Sequence, residues 1–91
     1  MDIEYDKHKN QRNVELRGLS FELVKRFQFD NVLEVEQRVD NELRYFALGH
    51  IGKRLYALVY TVRDRGIRVI SLRKANKREA TQYEQFKNNE S

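Results

Sequence analysis

The chain has 91 residues, of which 40% are hydrophobic and 35% charged, and a net charge of +4, which together predict one globular domain over residues 1–91 and exclude a second core. It contains no cysteine, and its two histidines, His8 and His50, lie far apart, so disulfides are excluded and we expect no metal and no cofactor. No apolar stretch approaches the ~20 residues of a membrane helix, and the acidic start lacks the basic region of a signal peptide, so we expect a cytoplasmic protein without membrane contact.

The first third of the sequence predicts a short strand followed by two helices. Ile3-Glu4-Tyr5 alternates in polarity like a strand, and Asp6 is a suitable N-cap for a polar helix from Lys7 to about Arg17. Gly18 favours the end of that helix. Ser20 is a suitable cap for a second helix with an apolar stripe. The residues of this stripe are Phe21, Leu23, Val24 and Phe27.

Three strands are predicted next, joined by turns. Alternating apolar and acidic residues from Val32 to Glu36 predict a half-exposed edge strand, which is followed by a turn at Asp40-Asn41. The segments Glu42–Leu48 and Arg54–Val62 are rich in aromatic and β-branched residues and predict two central strands of a hairpin. Its turn is expected at Gly49-His50-Ile51-Gly52.

A second hairpin turn is expected at Arg63-Asp64-Arg65-Gly66, before a fourth strand over Ile67–Leu72. Strict alternation in this strand places Ile67, Val69 and Ser71 on one face and Arg68, Ile70 and Leu72 on the other. Asn76 with Glu79 resembles a capping box that opens a helix running to about Lys87. The expected fold is therefore α+β: a short N-terminal strand, two helices, an antiparallel four-strand meander and a C-terminal helix, with all helices on one face of the sheet and the other face free for a ligand.

Positive charge is concentrated in one segment of the chain. Between Arg63 and Glu79 there are seven basic and two acidic residues, whereas the rest of the chain has eleven basic and twelve acidic ones. A confined basic zone is typical of a surface that binds a polyanion, because each phosphate contact releases counterions. The alternative of a basic face that only contacts solvent stays open.

Residues spread over most of the chain resemble the BrnT family of toxins, which have a RelE-like fold. The N-terminal part of the resemblance comprises Tyr5-Asp6, Lys9, Asn13 and Gly18-x-Ser20-Phe21. Farther on follow Arg44, Gly49, Val59-Tyr60-Thr61, Arg78-Glu79 and Tyr83. The most specific segment is Arg68-Val69-Ile70-Ser71-x-Arg73-x-Ala75. The chain departs from the family at Leu16-Arg17, where Lys-His is common before the glycine, and at Leu72, where alanine is common.

This resemblance implies the toxin of a type II toxin–antitoxin system, a metal-independent endoribonuclease that cuts RNA and so inhibits translation and growth. It further implies a hetero-oligomer with a cognate BrnA-like antitoxin that carries a DNA-binding ribbon-helix-helix element. The toxin is then expected to contact DNA only through its antitoxin. An RNA substrate and a protein partner are thus what the resemblance adds to the expectations from composition.

Metal-free RNA cleavage needs groups that move protons and groups that stabilise charge on the phosphate. Arginine suits the second task, because its planar guanidinium holds two phosphate oxygens and stays charged. The candidate arginines are Arg44, Arg68, Arg73 and Arg78. The candidates for proton transfer are Glu79 and Tyr83, one helical turn apart, and His50. The candidates for RNA binding are Tyr60, by stacking on a base, and Lys74 and Lys77.

Most of these candidates have a structural alternative. Arg73 and Arg78 can be helix-terminal or surface arginines, with Arg78 paired along the helix to Gln82 or Glu79, and His50 can be an exposed residue of the turn. Arg68 can instead form a buried ion pair with Glu42 or Glu79. Tyr60 and Tyr83 can pack in the core, and Glu79 can serve only as a helix cap. Two other functions also stay open, both using the same basic face: a non-catalytic RNA-binding module and a protein-interaction module.

Overall fold

The computed structural model describes residues 2–90, so the predicted domain 1–91 extends one residue beyond the described range at each end. Five strands form one mixed sheet in the order β1-β5-β4-β3-β2. The strands are β1 Asp2–Glu4, β2 Leu33–Val39, β3 Glu42–Ile51, β4 Arg54–Arg63 and β5 Gly66–Lys74. The helices are α1 Lys7–Arg17, α2 Lys77–Glu90 and two 3-10 helices, Phe21–Arg26 and Phe29–Asn31. The α+β class is confirmed, and within residues 2–90 no helix is long and apolar enough to cross a membrane.

Capping explains why the polar segment of α1 is helical. The Asp6 carboxylate accepts hydrogen bonds from the backbone N–H groups of His8, at 2.8 Å, and Lys9, at 3.1 Å. Gly18 ends the helix in the left-handed region with φ 70°, where a residue with a Cβ is strained. Both predicted boundaries of α1 are therefore confirmed.

Two asparagine side chains attach α1 to the rest of the chain. Asn13 is 4% exposed, and its Nδ2 donates to the backbone carbonyls of Leu19, at 2.9 Å, and Leu72, at 3.0 Å. The Oδ1 of Asn10 accepts from the Phe21 backbone N–H at 2.7 Å. Asn13, one of the residues that resemble the BrnT pattern, therefore links α1 to β5.

The second predicted helix is a 3-10 helix rather than an α-helix. Ser20 caps it as expected, since its Oγ accepts from the Glu22 backbone N–H at 3.1 Å. The helix ends after six residues, because Phe27 already has extended backbone angles. A short 3-10 segment is common as a connector. Phe21 and Val24, each 1% exposed, lie in the core as predicted.

Strand β1 pairs in parallel with β5, and Ile3 lies opposite Ile67. The predicted four-strand meander of β2 to β5 is present, and the predicted N-terminal strand, β1, joins it as a parallel edge strand, so the sheet is mixed and has five strands. Parallel pairing requires a long crossover, which α1 and the strands after it supply. Gly66 is needed at this edge, because a Cβ there would collide with the backbone of Asp2.

Helices cover both faces of the sheet, so the prediction of helices on one face only is wrong. One face, here the α1 face, packs against α1 and the 3-10 helices, and its core residues include Ala47, Leu58 and Val69. The other, the α2 face, carries Leu48 and Ala57, which pack against Tyr83 of α2. Because α2 starts directly after β5 and folds back over Ala57, it occupies one end of the face that was expected to be free.

A β-bulge in β5 changes which residues share a face. Val59 and Tyr60 of β4 are adjacent, but they pair with Ser71 and Val69 of β5, so Ile70 is an extra residue between these two. Leu72, 0% exposed, therefore lies with Val69 on the α1 face, whereas Ser71 lies with Arg68 on the α2 face. The predicted grouping of these side chains is wrong, because strict alternation does not continue across a bulge.

The hairpin of β3 and β4 turns at Gly52 and Lys53, later than predicted. Gly49 and His50 belong to β3 instead of the turn. Gly49 is buried beneath the ring of Phe27, and a Cβ there would lie 2.6 Å from Cζ of that ring. The glycine thus permits close packing inside a strand, which a turn-based interpretation of the sequence missed.

Candidate active site and RNA-binding surface

The register of the sheet aligns four polar side chains across the α2 face. Arg68 of β5 lies opposite Glu4 of β1 on one side and opposite Thr61 of β4 on the other. In the β3–β4 register Tyr45 pairs with Tyr60, so the preceding residue of β3, Arg44, lies beside the following residue of β4, Thr61. We refer to Glu4, Arg68, Thr61 and Arg44 as the arginine row. Two of the four predicted catalytic arginines are therefore brought together from strands far apart in sequence.

Two carboxylates hold the guanidinium groups of this surface. Glu4 lies 3.3 Å from Arg63 Nε and 4.0 Å from Arg68 Nη1, so the partner of Arg68 is neither of the glutamates considered from sequence. Glu42 Oε1 accepts from Arg44 Nε at 2.9 Å.

The hydrogen bond from Arg44 is the main cause that lowers the pKa of Glu42. Desolvation opposes this effect, and the positive charges of Arg44, Arg63 and Arg68 add to it. Glu42 is therefore ionised at neutral pH. Three arginines therefore lie beside these two carboxylates at this end of the α2 face, and Asp2 of β1 shares that face with Glu4.

Thr61 is buried in the middle of the arginine row without a hydrogen-bond partner. Its side chain is 1% exposed, and within residues 2–90 nothing donates to or accepts from its Oγ1. Leaving a buried hydroxyl unsatisfied costs about 1–3 kcal/mol. The neighbouring side chains of Arg44 and Arg68 remain 31% and 34% exposed. An oxyanion between these two guanidinium groups is the kind of acceptor that this hydroxyl lacks.

At the other end of the α2 face, Arg73 forms an ion pair with Glu79. Its Nη1 and Nη2 donate to the two carboxylate oxygens at 2.7 and 2.8 Å. Glu79 Oε1 also accepts from the Asn76 backbone N–H at 3.0 Å, while Asn76 Oδ1 accepts from the Glu79 backbone N–H at 2.8 Å. The predicted capping box is therefore confirmed, and Arg73 is attached to it. The Arg73 hydrogen bond is the largest cause that lowers the pKa of Glu79.

Tyr83 lies in the core beneath α2. It is 4% exposed, and its hydroxyl donates to the backbone carbonyl of Asn31 at 2.7 Å. Its ring meets the ring of His50 edge to face, with centroids 5.3 Å apart. Tyr83 and Glu79 are thus engaged by other groups of the chain, at the end of the sheet opposite to the arginine row.

The basic segment found in the sequence is divided between the two ends of β5. Arg63 and Arg68 belong to the end with the arginine row, and Arg65 lies in the turn beside it. The other members lie at the end near the start of α2. They are Arg73, Lys74, Lys77 and Arg78, of which the last three are exposed. Charge that is contiguous in sequence therefore spans the length of a nine-residue strand, about 30 Å.

Tyr60 lies on the α1 face and is not brought together with the candidate arginines. It is 7% exposed, its ring stacks on Tyr45 with centroids 5.3 Å apart, and its hydroxyl donates to Glu34. Burial and this hydrogen bond raise its pKa. Its surroundings in the structure are those of a core residue.

The residues that sequence reasoning missed are those whose neighbours come from other strands. In the sequence, Thr61 stands out only as part of Val59-Tyr60-Thr61. Alternation along β4 nevertheless predicts that Thr61 shares a face with Ala57. Glu42 is predicted from the sequence only as a possible partner of Arg68, not of Arg44, and Glu4 gave no signal, because its partners lie on β4 and β5.

Comparison with known proteins identifies the family of the chain. No curated protein and no solved structure matches the chain. Residues 5–79 match the family described as ribonuclease toxin, BrnT, of type II toxin-antitoxin system. The matched range includes α1, the whole meander and the capping box of α2. Because this match spans most of the 91 residues, the chain belongs to the BrnT family of ribonuclease toxins, which act on RNA and are paired with an antitoxin.

Proposed function

We propose that this chain is a metal-independent endoribonuclease that cleaves RNA, inhibits translation and growth, and is neutralised by a cognate antitoxin. The observation that carries the proposal is the arginine row, in which two partly exposed arginines flank a buried hydroxyl that has no partner. Preorganised donors of this kind stabilise the negative charge on the phosphate oxygens in the transition state. The ion pairs with Glu4 and Glu42 hold the guanidinium groups before RNA binds.

In the proposed reaction, the 2′-hydroxyl of the RNA attacks the adjacent phosphorus and the bond to the 5′-oxygen breaks. Arg44 and Arg68 hold the phosphate oxygens, and the Thr61 hydroxyl donates to one of them. Glu42 accepts the proton of the 2′-hydroxyl, since it is ionised and adjoins Arg44. The 5′-oxygen leaves as a hydroxyl with a proton from solvent, Glu42 returns its proton to solvent, and the other fragment ends in a 2′,3′-cyclic phosphate.

The remaining candidates differ in their access to an RNA strand bound on the α2 face. We propose that Arg73, Arg78, Lys74 and Lys77 contact phosphates that flank the cleavage position. Glu79 and Tyr83 remain candidates for proton transfer, on condition that RNA displaces the groups that now engage them. Base stacking by Tyr60 stays a prediction, and it requires RNA to reach the α1 face.

The proposal is tested by incubating the 91-residue chain with end-labelled RNA in EDTA. Variants Arg44→Ala, Arg68→Ala and Arg73→Ala are compared with Arg54→Ala, an exposed arginine outside the α2 face. Wild type and Arg54→Ala are expected to yield fragments with 2′,3′-cyclic phosphate ends. Loss of one donor in the arginine row is expected to slow cleavage by about 10²- to 10³-fold.

Intact RNA in the presence of folded wild-type protein would contradict the proposed activity. Salt-sensitive RNA binding without new termini would then indicate a non-catalytic RNA-binding module. Absence of RNA binding together with capture of a partner would indicate a protein-interaction module.

We further propose that the antitoxin is BrnA-like and carries a ribbon-helix-helix element, and that both proteins reside in the cytoplasm. The type II system to which the family belongs supports a protein antitoxin. Co-expression is expected to give a hetero-oligomer that shifts operator DNA, whereas the toxin alone shifts none. A DNA shift by the toxin alone would contradict this division of roles.

A further inference from the structure

Strand β2 is an edge strand whose outer side is unpaired within residues 2–90. It has seven residues and contains neither proline nor lysine, two features that commonly protect an edge strand from pairing. Val35 and Val39 on its α2 face are 52% and 39% exposed. An exposed regular edge with apolar residues is a surface on which another strand can be added.

The charges of β2 are complementary to those of an antiparallel second copy. When the pairing is centred on Gln37, Glu36 of each copy lies opposite Arg38 of the other, and Val35 lies opposite Val39. The strand therefore contributes two opposite-charge pairs on one face and two valine pairs on the other. Cross-strand pairs of both kinds stabilise a sheet.

The symmetric registers centred on Val35, Glu36 or Arg38 are unfavourable. Centring the pair on Glu36 or on Arg38 places identical charges directly opposite each other, and centring it on Val35 places Glu34 opposite Glu36 twice. In the register centred on Gln37, Glu34 comes opposite Asp40, which belongs to the turn beyond the strand. Glu34 is already engaged by the Tyr60 hydroxyl of its own chain. The charges thus favour the register centred on Gln37 over those centred on Val35, Glu36 or Arg38.

We propose that two copies of this chain associate through their β2 strands, paired antiparallel about Gln37, to form a continuous ten-stranded sheet. A two-fold axis perpendicular to the sheet keeps both α2 faces on the same side. Gln37 lies opposite Arg44, so it continues the line of the arginine row. The rows of the two copies therefore become collinear, with the two Thr61 residues five strand spacings, about 24 Å, apart.

The dimer does not depend on the proposed ribonuclease activity, and its test measures mass rather than cleavage. Sedimentation equilibrium of the 91-residue chain is expected to show a monomer–dimer equilibrium between about 1 μM and about 1 mM protein, the range of Kd typical of weak contacts. Arg38→Glu and Glu36→Arg each place like charges opposite each other twice. Each is expected to raise the dimer Kd by about tenfold or more.

The double variant E36R/R38E restores the opposite-charge pairs and is expected to recover dimerisation. Arg54→Glu is the matched control, because it reverses an exposed charge at another hairpin, and it is expected to leave the Kd unchanged. Circular dichroism verifies that every variant is folded. A wild-type chain that stays monomeric at about 1 mM, or a dimer that is insensitive to Arg38→Glu, would overturn the proposal. A monomer whose β2 variants lose only antitoxin binding would assign the edge to the antitoxin and equally overturn it.

Discussion

The guanidinium of Arg73 meets the carboxylate of Glu79 with two parallel hydrogen bonds, at 2.7 and 2.8 Å, and so joins the last strand to the helix that follows it. The same carboxylate accepts from the Asn76 backbone at the start of α2. One side chain therefore couples the sheet to the capping box. Glu79 is 9% exposed, which limits the access of water to these bonds.

Removal of this carboxylate is expected to destabilise the chain. Glu79→Ala loses two charge-assisted hydrogen bonds and the reciprocal cap, so the free energy of unfolding should fall by about 2 kcal/mol. Urea unfolding measures the change. The matched control is Arg78→Ala, an exposed neighbour expected to stay within about 0.5 kcal/mol of wild type. Equal effects of the two substitutions would contradict a structural role for the ion pair.

The contribution of Glu79 to stability is expected to depend on pH. Arg73 lowers the pKa of Glu79 in the folded chain below its ordinary value of 4.5, so protonation favours the unfolded chain. The contribution is fully present above that ordinary value and is lost as the pH falls through the folded pKa. The difference in free energy of unfolding between wild type and Glu79→Gln should therefore be constant near neutral pH and shrink in acid. A difference that does not change with pH would refute this linkage.

Thr61→Val is expected to separate stability from activity. Valine has nearly the shape of threonine but lacks the unpaired hydroxyl, so the free energy of unfolding should rise by about 1 kcal/mol. The same substitution should slow RNA cleavage, because the phosphate loses a donor between Arg44 and Arg68. Thermal unfolding and a cleavage assay in EDTA provide the two readouts. Unchanged cleavage by a stabilised Thr61→Val would remove Thr61 from the proposed site.

Gly49→Ala is expected to destabilise the chain by about 1–3 kcal/mol, because the new Cβ would lie 2.6 Å from Cζ of Phe27. Phe27→Leu removes that atom. In the Phe27→Leu background, the cost of Gly49→Ala should therefore be smaller than in wild type, a coupling that a double-mutant cycle by urea unfolding measures. Additive effects of the two substitutions would show that the ring and the glycine do not constrain each other.

Local signals in the sequence were sufficient for most of the helices and strands. Asp6 and Gly18 bound α1, and Asn76 with Glu79 opens α2, because a cap acts on backbone groups within a few residues. The central position of β3 and β4 also followed from composition. The turn at Asp40-Asn41 was predicted and has positive φ angles of 50° and 66°. The residues that resemble the BrnT pattern are distributed along the chain, and several of them, such as Asn13, which links α1 to β5, have structural roles.

The candidate site was only partly predictable, because facing depends on pairing partners that are distant in sequence. Arg44 and Arg68 were chosen from sequence for the chemistry of arginine, but their shared face around Thr61 follows from the β3–β4–β5 register. The extra residue Ile70 reverses the faces of the residues after it, and no local pattern indicates a bulge. The sequence by itself thus determined the elements, their caps and the chemical types of the candidate residues. The tertiary structure alone decided which of those residues meet, because strand pairing and the position of α2 are set by packing over the whole sheet.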